Sequence, residues 1–281
     1  MFAQKSASSY CGASEGRHVL KDLRLRAPLY FALLAAMAVI ACFSLIPGGT
    51  NPRYVDYGTF RQTLMSAVLL ATLYLFSGEW QLDVDAGTKD LSLKRTLGVV
   101  AAAAAVIGFA AVYVQGSVIS PPRHAIIMFV VLMFGTAVFE EILFRGFFLE
   151  GFAKTLRDRG SKNALLYAAL ASSLLFGVLH VTSDLGSLFR VEAYIQAVVK
   201  VLEGTLFGMA MCALSVKTKS IWPAVAAHFA FNLLSEGPVF LATGALKFTY
   251  ITGSPADITV LLVGCAVLLP AAKWAWDYLA H

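Results

Sequence analysis

The sequence predicts an all-α polytopic transmembrane bundle of about eight spans, and three observations carry that prediction. Of the 281 residues, 58% are apolar and only 14% charged, with a mean hydropathy of +0.73; an ordinary soluble domain is about 45–50% apolar and about 25% charged. Apolar stretches near the roughly 20 residues that cross a bilayer core recur along the whole chain. Lysine and arginine crowd into every second connection between them. Such a composition excludes a soluble globular enzyme, a disordered chain and a nucleic-acid reader with a basic face.

The stretches are Ala27–Ile46, Gln62–Ser77, Thr96–Val118, Ile126–Phe148, Asn163–Val181, Val191–Leu214, Ile221–Leu234 and Ile258–Tyr278. The second and seventh are short, to be extended by flanking residues or to be partly re-entrant. The first follows a polar, basic segment, 1–26. Its apolar run is too long for a signal-peptide core and ends in the Pro47-Gly48-Gly49 turn, so it reads as a retained anchor. The third contains the run Ala101–Ala105, where alanine is the best helix former. The connections Pro47–Arg61, Gly78–Arg95 and Ser235–Asp257 are too short for a core of their own. No internal repeat is visible, which weighs against a transporter of duplicated halves. Cys11, Cys42, Cys212 and Cys265 stand far apart, so neither a disulfide framework nor a zinc knuckle is signalled.

With the N-terminus in the cytoplasm, 15 of the lysines and arginines between spans fall on the cytoplasmic side and 5 on the other. That bias over short loops predicts both termini inside. The basic N-terminal segment and the Lys154–Lys162 loop then lie near anionic lipid headgroups, which accounts for their charge without a further partner.

Function is sought where costly groups enter lipid. An ionised residue at a helix centre costs about 2.5–3.5 kcal/mol on insertion scales, and the fourth span holds three within Glu140-Glu141-Ile142-Leu143-Phe144-Arg145. Glu141 and Arg145 are four apart on one face, in the favourable order for an ion pair. Glu140 is turned about 100° away and has no such partner in its own helix. A structural salt bridge with one spare carboxylate is the plain reading. The sharper one is that Arg145 holds Glu141 while Glu140 does chemistry. Two further pairs share the four-residue spacing, Phe176 with His180 in the fifth span and His228 with Asn232 in the seventh. Together they offer a base and several hydrogen-bond donors, as water activation and oxyanion stabilisation require.

At these residues the chain resembles the CAAX prenyl protease and bacteriocin-processing (CPBP, or Abi) family of intramembrane glutamate endopeptidases. Glu140-Glu141-x-x-x-Arg145, Phe176-x-x-x-His180 and His228-x-x-x-Asn232 match, in order, its EExxxR, FxxxH and HxxxN/D motifs. Gly146, Ser172-Ser173 and Trp222-Pro223 have similar surroundings there. The resemblance spans about residues 125–235, a catalytic core between accessory spans at 27–124 and a last span with tail at 236–281. It implies a metal-independent, cofactor-free peptide hydrolase in which Glu140 is the general base and His180 positions the water. His228 and Asn232 would form the oxyanion hole, with Glu141, Arg145 and Phe176 in support. The implied partners are a peptide or lipidated peptide and the bilayer itself, with no nucleic acid. The chain's own end, Asp277-Tyr278-Leu279-Ala280-His281, is no CaaX box. The alanine-rich composition and short loops have a prokaryotic style, pointing to a plasma membrane.

Straight helices set one difficulty. Glu140 and His228 fall about 10–12 Å from the cytoplasmic ends of their spans and His180 about 25 Å, too far to share one carbonyl unless boundaries move or helices tilt or break. Lys200 and Glu203, three apart in the sixth span, are expected to pair. Gly204-x-x-x-Gly208 is expected to pack closely, and Ser172 and Ser173 to pack or bond within their own helix. Other classes stay open: a zinc protease ligated by His180, His228 and a glutamate, although no HExxH is present; a non-catalytic regulator or immunity-type protein on the same scaffold; and, more distantly, a transporter with a carboxylate–histidine relay.

Overall fold

The computed structural model describes residues 5–45, 57–78, 80, 82, 91–115, 121–181, 189–244 and 251–280, and every regular element among them is helical. The Pro47-Gly48-Gly49 turn, the Cys11 side chain, the span ends at Ile46 and Val118, and Arg53, Lys89 and Lys247 of the charge count lie outside the described residues. In chain order the helices are α1 (Lys5–Arg26), α2 (Pro28–Leu45), α3 (Tyr57–Phe76), α4 (Leu93–Gln115), α5 (Arg123–Glu141), a π-helical segment (Ile142–Phe148), α6 (Leu149–Asp158), α7 (Ala164–Leu179), α8 (Val191–Thr218), α9 (Trp222–Thr243) and α10 (Pro255–Leu279). Seven helical stretches are long and apolar enough to cross a membrane, and α7, at 16 residues, is a shorter apolar helix beside them. The protein is a multi-pass membrane protein.

Local chemistry sets several ends. Proline opens α2 and stands in the first turns of α9 and α10, where its missing N–H costs nothing. Gly244, at φ 70°, closes α9 in the left-handed conformation that glycine adopts freely. Lys219 takes the same conformation, at φ 51°, to end α8.

Two span boundaries matter for the site: one departs from the sequence expectation, and the other realises the extension by flanking residues that the short seventh span allowed. The fourth span does not stop at Phe148. It runs on without a break to Asp158 as one 36-residue helical stretch, because the start of α6 buries Leu149, Glu150, Gly151 and Ala153 while Arg157 and Asp158 at its end are exposed. The seventh span does not stop at Leu234 either. Ser235-Glu236-Gly237-Pro238 has the composition of a loop, yet it lies inside α9, with Val239, Phe240 and Ala242 buried beyond it. Pro238 has no N–H to donate to the carbonyl of Leu234 as a regular helix requires, and there Gly108 of α4 sits against the carbonyls of Leu234 and Ser235 with no room for a Cβ.

Helix α8 packs on α7 and α10, α4 on α9 and α10, and α5 on α3 and α9. The α7–α8 seam is made of small residues: Gly204 approaches Gly177, and Gly208 approaches Ser173, so closely that a methyl group at either would collide. Gly204-x-x-x-Gly208 is thus a packing face, as its spacing suggested. The two serines are buried and packed, as one side of the expectation had it, but their polar contacts lie outside their own helix. Ser172 Oγ donates to the carbonyl of Phe144 at 2.7 Å, and Ser173 lies 3.7 Å from Cys212 Sγ. Both partners are on neighbouring elements, within reach because the seam is so close.

The basic N-terminal segment differs as well. It contains the 22-residue helix α1, and Arg24 near its end is buried against Glu150 at 2.7 Å. Lys154 donates to the carbonyl of Leu25 at 2.5 Å. These two charges have partners inside the protein, which the excess of basic residues concealed.

Candidate active site

Glu141 and Arg145 lie at the junction of α5 with the π-helical segment, both fully buried. Arg145 Nη1 donates to Glu141 Oε1 at 2.9 Å, the pair that the four-residue spacing implied. The same oxygen lies 2.7 Å from His228 Nδ1 on α9. Glu141 therefore orients a histidine 87 positions away as well as pairing with the arginine in its own helix turn. The other ring nitrogen of His228, Nε2, sits 3.5 Å from Glu140 Oε2. Glu140 is the more open of the two carboxylates, its side chain 14% exposed against 0% for Glu141.

Phe176 ties the three motifs together. Its ring lies 4.7 Å beneath the Arg145 guanidinium, meets the His180 ring at a tilt of 56° with centroids 4.3 Å apart and meets His228 edge-on at 5.9 Å. A cation over an aromatic face is worth more once water is excluded. His180 stands just past the end of α7, and with its Nδ1 proton donating to the Phe176 carbonyl at 2.8 Å, Nε2 is left as an acceptor.

Glu140, His180, His228, Asn232 and Phe176 line one cavity of about 430 Å³ inside the bundle. The expected depth mismatch is absent, and the continued helix explains why. From Glu140 to the end of α6 at Asp158 is 18 residues, or about 27 Å; from the start of α7 at Ala164 to His180 is 16 residues, or about 24 Å. The connection 159–163 folds the two stretches into an antiparallel pair, so the residues arrive at one level.

The cavity has members that the sequence reading undervalued or missed. Lys200 and Glu203 pair at 2.7 Å as their spacing implied, but in the cavity wall. Ser235 and Glu236 also line it. The signal for them was the apolar run Val239-Phe240-Leu241, which requires helix on both sides of the Glu236-Gly237-Pro238 break. Apolar side chains of α2, including Val39, Ile40 and Phe43, complete the wall. Among the described residues no three His, Cys, Asp or Glu side chains are grouped to hold a metal ion, so the ligand set His180, His228 and a glutamate is not assembled.

No curated protein matches the chain. Residues 122–234, from the residue before α5 to the middle of α9, match the family model described as type II CAAX prenyl endopeptidase Rce1-like, and this stretch, which holds the three motifs, is where the chain is similar to that family.

Proposed function

We propose that the protein is an intramembrane endopeptidase that hydrolyses a peptide bond with a water activated by Glu140. The observation that carries this is the shared cavity. Three helices bring a carboxylate with no cation in its own helix turn, two histidines and an asparagine to one cavity of about 430 Å³ with a largely apolar wall. Glu140 takes a proton from water as the oxygen adds to the scissile carbonyl, and returns it to the leaving amine as the tetrahedral intermediate collapses. His180 Nε2 accepts a hydrogen bond from the water's other hydrogen, which stays on the oxygen that becomes part of the product carboxyl group. With both ring nitrogens of His228 protonated, Nδ1–H donates to Glu141 and Nε2–H is presented to the oxyanion together with the Asn232 amide. The ring position beside Glu140 gives His228 contact with both ends of the reaction.

An apolar cavity wall beside a polar cluster suits a peptide carrying a lipid chain, which accords with the prenyl endopeptidases that the core matches. The test is cleavage, by purified protein in detergent, of a prenylated CaaX peptide, its unprenylated counterpart and a peptide library. A chelator should leave the rate unchanged; silencing by chelator and rescue by zinc would overturn the mechanism. Asn232→Ala should lower kcat about 100- to 1000-fold with little change in KM, because an oxyanion contact is made only in the transition state. Asn232→Asp should be milder, and a wild-type kcat in Asn232→Ala removes this residue from the site.

Both termini are proposed to be cytoplasmic, on the charge bias between spans. An alkaline phosphatase reporter, active only outside the cytoplasm, should be inactive after His281 and active within 47–56. The reverse pattern overturns the orientation.

A further inference from the structure

The motif bearing Glu140, Glu141 and Arg145 runs directly into the π-helical segment, and that segment is gripped at two carbonyls from outside its own helix. Ser172 of α7 holds Phe144 O at 2.7 Å, and Arg24 of α1 donates Nη2 to Gly146 O at 2.9 Å. Arg24 is only 2% exposed. Its Nε and Nη2 donate to Glu150 Oε2 at 3.2 and 2.7 Å, and its Nη1 donates to Ser77 Oγ at 3.1 Å and to the carbonyl of Gly78. The rings of Tyr74 and Phe147 each lie 5.0 Å from its guanidinium carbon.

Neutralising one buried cation needs only Glu150. The bond to Gly146 does something else: it fixes the backbone one residue after Arg145, in a wide turn of a kind that is rare in helices and concentrated at functional sites. A planar fork of five donors can reach the end of α3, a carboxylate on α6 and a carbonyl of the π turn at once.

We propose that Arg24 is a positioning residue for the two glutamates. It acts through Gly146 and Glu150, holding the π turn so that Arg145 and Glu141 aim His228 at Glu140. The proposal rests on the glutamate-activated hydrolysis above, and it makes α1, outside residues 122–234, part of the working site.

Arg24→Lys tests it, since lysine keeps the cation for Glu150 but cannot span all three contacts. We expect kcat to fall about 10- to 100-fold, as small misplacements of reacting groups do, with KM within about twofold. The double variant Arg24→Met/Glu150→Leu leaves no buried charge alone, so its thermal midpoint should recover relative to Arg24→Met while kcat stays low. A wild-type kcat in Arg24→Lys, or a kcat that recovers with the midpoint in the double variant, overturns the proposal. Hydrogen exchange reads the grip without substrate: amides at 142–150 should exchange about tenfold or more faster in Arg24→Lys while those of α10 are unchanged. Equal rates sink the grip even if no peptide is ever cleaved. Cleavage by Glu140→Gln at the wild-type rate would instead sink the hydrolysis reading and leave the grip standing.

Discussion

Glu140→Gln is expected to lower turnover by about 10²- to 10⁴-fold, the usual contribution of a positioned general base, while the protein stays folded. The amide keeps the shape of the side chain and removes its ability to take a proton from water. No cation in the same helix turn depends on Glu140, and its side chain opens to the cavity, so little structural support is lost. Peptide cleavage and thermal unfolding of the same purified sample check both halves. Full activity in this variant would assign the base elsewhere; loss of fold would make Glu140 a structural residue.

Glu141→Gln should do the opposite in kind. Its Oε1 accepts from both Arg145 and His228, at 2.9 and 2.7 Å. The neutral amide leaves the fully buried Arg145 without a counter-charge. Breaking a buried pair from one side typically costs about 3–5 kcal/mol. Denaturant or thermal unfolding in detergent should therefore show a large loss of stability in Glu141→Gln and almost none in Glu140→Gln. Activity should fall too, since His228 loses the carboxylate that orients its ring. Equal unfolding midpoints for the two variants would mean that the neighbouring carboxylates do not divide structure and chemistry between them.

The three- and four-residue spacings were readable because helix geometry alone decides them: Glu141–Arg145 and Lys200–Glu203 pair as their offsets require. The spans were readable because a bilayer demands long apolar helices with their backbone bonds satisfied internally. Where the sequence misled, composition spoke louder than burial. Ser235-Glu236-Gly237-Pro238 looks like a loop and is helix, because neighbouring helices tolerate the carbonyl that proline leaves without its donor. Arg24 looked like one more basic residue near headgroups and is buried across the ends of three helices.

By itself, then, the sequence determined the helical membrane bundle, its approximate spans and the residues whose polarity is costly in lipid, since local periodicity and the cost of polar groups in lipid settle those matters. Only the tertiary structure decided that Glu141 holds His228, that Phe176 sits beneath Arg145 and beside both histidines, and that His180 reaches the level of Glu140. Apart from Phe176 with His180, four positions on, these contacts join residues tens of positions apart, and their geometry depends on where α6 ends, on the π turn and on the close α7–α8 seam. Each of those is set by packing between helices, which no spacing within a single helix encodes.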